Sequence, residues 1–236
     1  MAFLRSLLFS CWVILSTVVI TGTSLLLAPF PVYIRSGYLR LYSYLNVLAF
    51  KYICGVNYIV EGKENIPAGP AIIMCKHQST WETMALQLIF PLQCFVAKRE
   101  ILWIPFFGWA LAIMKPIFIN RRAGQRALDQ LVKQGTERLN EGLWVVIFPE
   151  GTRVRPGQKK RYKMGGAILA AKSGYPIVPV AHNAGEYWQK GQFIKRPGTI
   201  KVVIGPTIES KDRTAEELIK DVENWIESSM KTITAH

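Results

Sequence analysis

The sequence predicts an α/β fold: a mixed, largely parallel sheet flanked by helices, preceded by an N-terminal membrane-embedded helical segment. Three observations carry that prediction. From residue 56 onward, short β-rich runs alternate with amphipathic helical stretches, the pattern of strands joined by crossover helices. Several of those runs are almost wholly apolar, as strands covered on both faces must be. Before them, no charged residue stands between Arg5 and Arg35.

Residues 7–30 read LLFSCWVILSTVVITGTSLLLAPF, long enough as a helix to cross a hydrocarbon layer of about 30 Å. The alternative is a cleaved secretory signal, which needs a shorter apolar run and a small-residue cleavage site; neither is clear. Residues 32–52 mix Arg35, Arg40 and Lys51 with Tyr33, Tyr38, Tyr42, Tyr44 and Tyr52. That composition suits the headgroup layer, where rings half-bury and cations meet phosphates. Positive charge is heavier after the apolar run than before it, so the bulk of the chain is expected on the cytoplasmic side. Whether the first helix crosses fully or turns back as a shallow hairpin is open. The expected division is 1–52 as membrane anchor and 53–236 as one α/β domain, a length able to bury its own core.

Strands are expected at 56–61, 71–75, 94–97, 116–120, 143–148, 177–181 and 199–204. Between them, Leu128, Leu131, Val132 and Leu139 share one face of a helix over 125–140. Near the C-terminus Thr214 and Glu217 form a capping box ahead of Leu218, Val222, Trp225 and Ile226 at helical spacing.

Half of the residues are hydrophobic, and 29 Lys and Arg against 16 Asp and Glu give a net charge of +13. Such a chain fits an anionic surface, membrane phospholipid or nucleic acid. The long uncharged N-terminus favours the membrane and argues against nucleic acid. The four cysteines, Cys11, Cys54, Cys75 and Cys94, form no CxxC pair, which speaks against structural zinc or a disulfide framework and for free thiols in a reducing compartment.

In sheets of this kind chemistry collects where strands end. After 71–75 comes Lys76-His77-Gln78-Ser79-Thr80-Trp81-Glu82. A histidine on a loop before a helix suits a general base, and a carboxylate five residues on reaches back to its second ring nitrogen. Equally, Ser79 and Glu82 have the spacing of a capping box, in which Glu82 bonds only the Ser79 amide. The segment alone leaves both readings open. A zinc site is disfavoured, since no pair of histidines lies four apart around a glutamate.

After 143–148 comes Pro149-Glu150-Gly151-Thr152-Arg153. Gly151 permits close backbone approach and Arg153 offers a two-pronged fit to phosphate, although a tight turn with a solvated arginine explains the same residues. Arg155, Lys159, Lys160, Arg161 and Lys163 extend the charge into a loop facing a membrane or a carrier. Strand 116–120 ends in Arg121-Arg122, and strand 94–97 in Lys98-Arg99-Glu100. Cations from three strand ends thus converge near the histidine loop, as an anion site requires. The apolar stretch 101–114 (ILWIPFFGWALAIM) reads as core first, with membrane contact or the wall of an acyl-chain tunnel as alternatives.

Taken together these residues resemble the glycerolphosphate acyltransferase superfamily, most closely its bacterial 1-acyl-sn-glycerol-3-phosphate branch. The family's histidine-x4-aspartate block matches His77 to Glu82, with Ser79 also in place. The block ending in arginine matches Lys115-Pro116-Ile117-Phe118-Ile119-Asn120-Arg121, the third matches Phe148 to Arg153, and the proline-bearing strand matches Tyr175-Pro176-Ile177-Val178-Pro179-Val180. Three departures stand out: Glu82 replaces the usual aspartate, Lys115 a glycine and Tyr175 a small aliphatic residue.

The resemblance implies that His77 is the base and Glu82 orients it. It further implies that Arg121, Glu150, Gly151, Thr152 and Arg153 bind glycerol phosphate, with Lys98 assisting at the phosphate. Its implied substrates are lysophosphatidic acid as acceptor and acyl-CoA or acyl-carrier protein as donor, without cofactor or metal. The product would be phosphatidic acid, made at the cytoplasmic face of a bacterial inner membrane. His77 would take the proton of the sn-2 hydroxyl as that oxygen attacks the thioester; no G-x-S-x-G elbow suggests an acyl-enzyme. Acyl transfer to another lysolipid, or a membrane-anchored esterase or phospholipase, are the rival activities.

Overall fold

The computed structural model describes residues 1–120 and 123–233. Its helices are α1 (Ala2–Ser16), α2 (Gly22–Ser24), α3 (Val32–Cys54), α4 (Trp81–Ile89), α5 (Phe107–Ala112), α6 (Gln125–Asn140), α7 (Gly165–Ser173), α8 (Ala184–Tyr187) and α9 (Ala215–Ile233). The strands are β1 (Val56–Glu61), β2 (Ile72–Cys75), β3 (Gln93–Lys98), β4 (Ile117–Ile119), β5 (Trp144–Ile147), β6 (Ile177–His182) and β7 (Gly198–Ile204). Each expected strand run becomes a strand, with no end shifted by more than one residue.

The seven strands form one mixed sheet in the order β1-β7-β6-β2-β5-β3-β4. From β6 to β4 all neighbours pair in parallel, whereas β7 runs antiparallel to β6 and carries β1 parallel to itself. Five carboxyl ends therefore open on a single rim, which is where a parallel sheet presents its chemistry. The central strands β2, β5 and β6 are buried along their whole length, the consequence of helices on both faces.

Alternation along β2 divides the core in two. Ile73 and Cys75 face Phe50, Trp81, Met84 and Leu86 of α3 and α4; Ile72 and Met74 face Leu131, Leu169, Leu218 and Val222 of α6, α7 and α9. The expected α6 face forms around buried Leu131 and Leu139. Gly135 lies so near Leu169 that a Cβ there would stand 2.6 Å from its Cδ2, so a side chain at this point of the α6–α7 crossing would displace Leu169. The α9 capping box is present: Thr214 N donates to Glu217 Oε2 at 3.0 Å and Glu217 N to Thr214 Oγ1 at 3.3 Å.

Helical structure is continuous from Ala2 to Leu27, passing through a π-turn at Thr17–Thr21. The prolines at 29 and 31 then reverse the chain into α3, which ends at Gly55 in the left-handed conformation. Polar side chains zip the two helices together. Ser16 Oγ donates to Asn46 Oδ1 at 3.1 Å, Thr17 pairs with Tyr42 at 3.1 Å and Thr23 with Tyr38 at 2.6 Å. Tyr42 is thus buried rather than interfacial, while Tyr33, Tyr44 and Tyr52 are exposed. The expected division at 52/53 falls in the last turn of α3.

Both ends of the first helical stretch touch the α/β domain. Near its start, Lys195 N donates to Ser6 Oγ at 2.9 Å and the Phe9 ring packs edge-on to Trp188. Near its end, Gly22 abuts the Phe106 ring. The hairpin accordingly lies along the domain instead of projecting from it, and its outer side exposes Leu4, Leu8, Leu15, Val18 and Val19.

Candidate active site

β2 ends when Lys76 N donates to Val180 O at 3.0 Å; the next residue, His77, leaves the sheet. Backbone bonds from three directions fix this turn. His77 O accepts the Val154 amide at 2.7 Å, His77 N donates to Glu150 Oε2 at 3.0 Å, and Lys76 O lies 2.8 Å from His182 Nε2. His182 Nδ1 accepts the Ala184 amide at 3.2 Å, so its proton sits on Nε2 and is donated to Lys76 O. Burial pushes His182 below its usual value despite Glu82 nearby, so it is neutral at pH 7.

Glu82, 1% exposed, projects from the first turn of α4 into this loop. Its Oε1 lies 2.8 Å from His77 Nδ1 and accepts the amides of Gln78 at 2.9 Å and Ser79 at 2.8 Å. Capping and contact with the imidazole, alternatives in the sequence, are geometrically compatible and occur together. Burial raises the Glu82 carboxyl, but His182, His77 and the Ser79 amide outweigh it and hold the group below its ordinary range. His182 bears charge only in acid, so at pH 7 the amides and His77 are the partners of the ionised Glu82. An ionised acceptor at Nδ1 draws the ring proton there and leaves Nε2 as the basic nitrogen. Phe148, just past β5, stacks on the His77 ring at 4.0 Å between centroids and 16° between planes, fixing its tilt.

His77 borders a cavity of about 680 Å³ shared with Lys98, Thr152, Arg153, Lys163 and Lys190. Arg153 Nη1 donates to Thr80 Oγ1 at 2.7 Å and Lys190 Nζ to Thr152 Oγ1 at 3.4 Å. Gly151, at φ 68°, brings the loop so close to Lys163 that a Cβ would stand 3.1 Å from its Nζ. Lys98, Gly151, Thr152 and Arg153 are therefore assembled on the rim with His77. Arg121 lies outside the described residues. Glu150 is fully buried, paired with Lys76 at 3.0 Å, and is not among the residues that line the cavity.

Away from His77 the cavity turns apolar between Met84, Phe95, Leu128 and Leu131. The 101–114 stretch forms one wall through Ile101, Phe107, Ala110, Leu111 and Met114. Its other side is open: Trp103 is 83% exposed, and Ile104, Phe106 and Trp109 are exposed as well. Only Gly108 and Ala110 of the stretch are buried, so the expectation of core gives way to a cavity wall with an exposed aromatic back.

Sequence reasoning overlooked Lys190, the anchoring roles of Lys76 and His182, and the Glu227 and Tyr162 side chains behind Lys76. His182 carried a signal, being one of three histidines and the first residue beyond an expected strand. Lys190 carried none, because its place depends on how the loop after α8 returns to the rim.

Comparison with known proteins identifies the class to which this fold and rim belong, the acyltransferases. A model of the family described as Acyltransferase matches residues 57–183. The chain belongs to that family and is an acyltransferase enzyme. It is similar to the 1-acyl-sn-glycerol-3-phosphate acyltransferase of Pseudomonas aeruginosa, 49% identical over 185 residues, 77% of this chain and 72% of that protein. It is also similar to human 1-acyl-sn-glycerol-3-phosphate acyltransferase beta, 30% identical over 73% of this chain and 63% of that one. Among solved structures it matches the 1-acyl-sn-glycerophosphate (LPA) acyltransferase PlsC of Thermotoga maritima, with TM-score 0.82, 25% identity and coverage of 100% and 99% of the two chains.

Proposed function

We propose that the chain transfers a fatty acyl group from a thioester donor, acyl-CoA or acyl-carrier protein, to the sn-2 hydroxyl of 1-acyl-glycerol-3-phosphate, giving phosphatidic acid. The observation that carries this reading is the placement of the Glu82-held His77 where a ring of cations meets an apolar cavity. His77 Nε2 takes the hydroxyl proton as the oxygen attacks the thioester carbonyl; the C–S bond breaks and the proton returns to the departing thiolate. General-base action of this type contributes on the order of 10²–10⁴-fold in rate, with positioning supplying more. Arg153 and Lys98 meet the acceptor phosphate, the arginine in two-pronged fashion. Thr152 and the Gly151 turn shape the same corner, and Arg121 completes the binding set by resemblance. The apolar part of the cavity takes an acyl chain.

Residues 1–52 serve as the membrane anchor and 53–236 as the catalytic domain, on the cytoplasmic face. The exposed apolar side of α1 and the aromatic back of 103–109 supply bilayer contact. Because both ends of the first helix are tied to the domain, a shallow hairpin fits better than a helix crossing alone. The test is transfer from labelled oleoyl-CoA and oleoyl-carrier protein to a panel of lysolipids. Phosphatidic acid formed fastest from lysophosphatidate supports the reading; acceptor-independent release of free fatty acid would mark an esterase instead.

A further inference from the structure

A line of polar side chains, half-buried at Glu227 and buried beyond it, leads from the C-terminal helix to the backbone of His77. Tyr162 OH donates to Glu227 Oε1 at 2.9 Å, and Lys76 Nζ lies 2.7 Å from that same oxygen. Lys76 Nζ also lies 3.0 Å from Glu150 Oε1, and Glu150 Oε2 accepts the His77 amide at 3.0 Å. None of the four side chains lines the cavity. Glu227 belongs to α9, on the sheet face opposite α4, so the loop bearing His77 is gripped from both faces: its ring by Glu82, its amide by Glu150.

Stability explains such a group poorly, since well-packed apolar residues often replace buried ion pairs without loss. The geometry instead matches a positioning device. Glu150 holds the His77 amide with one carboxylate oxygen while Lys76 lies against the other, so the cation bears on how that carboxylate is turned. Lys76 has a long stem, and its head lies between Glu150 and a second carboxylate, Glu227, itself held by Tyr162. We propose that Glu227, acting through Lys76 and Glu150, is a positioning residue that sets where His77 stands in the transfer reaction. This rests on His77 being the base.

The test measures kcat and KM for lysophosphatidate in the full-length enzyme, per folded molecule and well below each variant's Tm. Glu227→Ala should lower kcat about tenfold or more with KM within about twofold, because displacing a base by 1 Å is felt in turnover. Glu227→Gln keeps an oxygen for Lys76 and Tyr162 and should restore most of the loss, leaving kcat about threefold below wild type. Should the alanine variant fail to fold, the glutamine variant decides alone. Wild-type kcat in every folded Glu227 variant, with His77→Ala inactive, overturns the proposal. An active His77→Ala would instead overturn the reading of the base, which is a separate failure.

Discussion

Glu82 Oε1 sits 2.8 Å from His77 Nδ1 while the same carboxylate accepts the backbone amides of Gln78 and Ser79. One side chain thus ends the loop, starts the helix and holds the imidazole. If His77 is the base proposed above, folding and chemistry share this atom, and a substitution there disturbs both.

Glu82→Gln should therefore lower kcat and Tm together. The amide keeps an oxygen for the backbone donors but loses the charge that stabilises the imidazolium. Turnover is expected to fall by about 10²-fold or more, and the weakened charged hydrogen bonds should remove about 1.5–3 kcal/mol of stability. Steady-state kinetics and thermal unfolding of the same preparation check both halves.

The stability difference should depend on pH. Glu82 has a folded value below its ordinary 4.5, so its contribution is fully present above 4.5 and is lost as pH falls through the lowered value. The Tm gap between wild type and Glu82→Gln should be widest near neutrality and close in acid. A gap that widens as pH falls would contradict an ionised Glu82.

Arg153→Ala should raise KM for the phosphorylated acceptor by about tenfold or more, with a smaller change in kcat, since charge-assisted contacts to phosphate are of that strength. A lysolipid lacking a phosphate monoester should show no such change. Rate measurements over a range of acceptor concentrations separate the two cases.

Ala110 is buried at the cavity wall. Ala110→Phe should fill part of the apolar space and lower kcat/KM for long acyl donors about tenfold relative to short ones, the discrimination a few methylenes provide in a tight pocket. Competition between donors of different chain length gives the ratio directly.

Much of the fold was legible because its strands are short, apolar and bounded by turn residues, and burial on both faces leaves that signature in local sequence. β2, β5 and β6 are the clearest cases. The polar rim was legible as far as each residue lay at a strand end or in the loop just beyond it: His77, Lys98, Thr152 and Arg153. What escaped depended on three-dimensional return paths. Glu150 reads as a rim carboxylate, yet the turn at Gly151 rolls it beneath the loop toward Lys76, where burial drives its carboxyl up to about 7 against the opposing pull of Lys76. Glu227 sits on a helix whose pattern announces only packing. The stretch 101–114 is apolar on all sides, so its sequence cannot tell core from a wall with two apolar environments.

The most direct test of His77 as the base is acyl transfer from labelled oleoyl-CoA to lysophosphatidate by His77→Ala in reconstituted vesicles, alongside its Tm and its fraction bound to lipid. A base at His77 requires loss of transfer by about 10³-fold or more, with melting and lipid binding close to wild type. Transfer within tenfold of wild type, in a folded and membrane-bound variant, would contradict it.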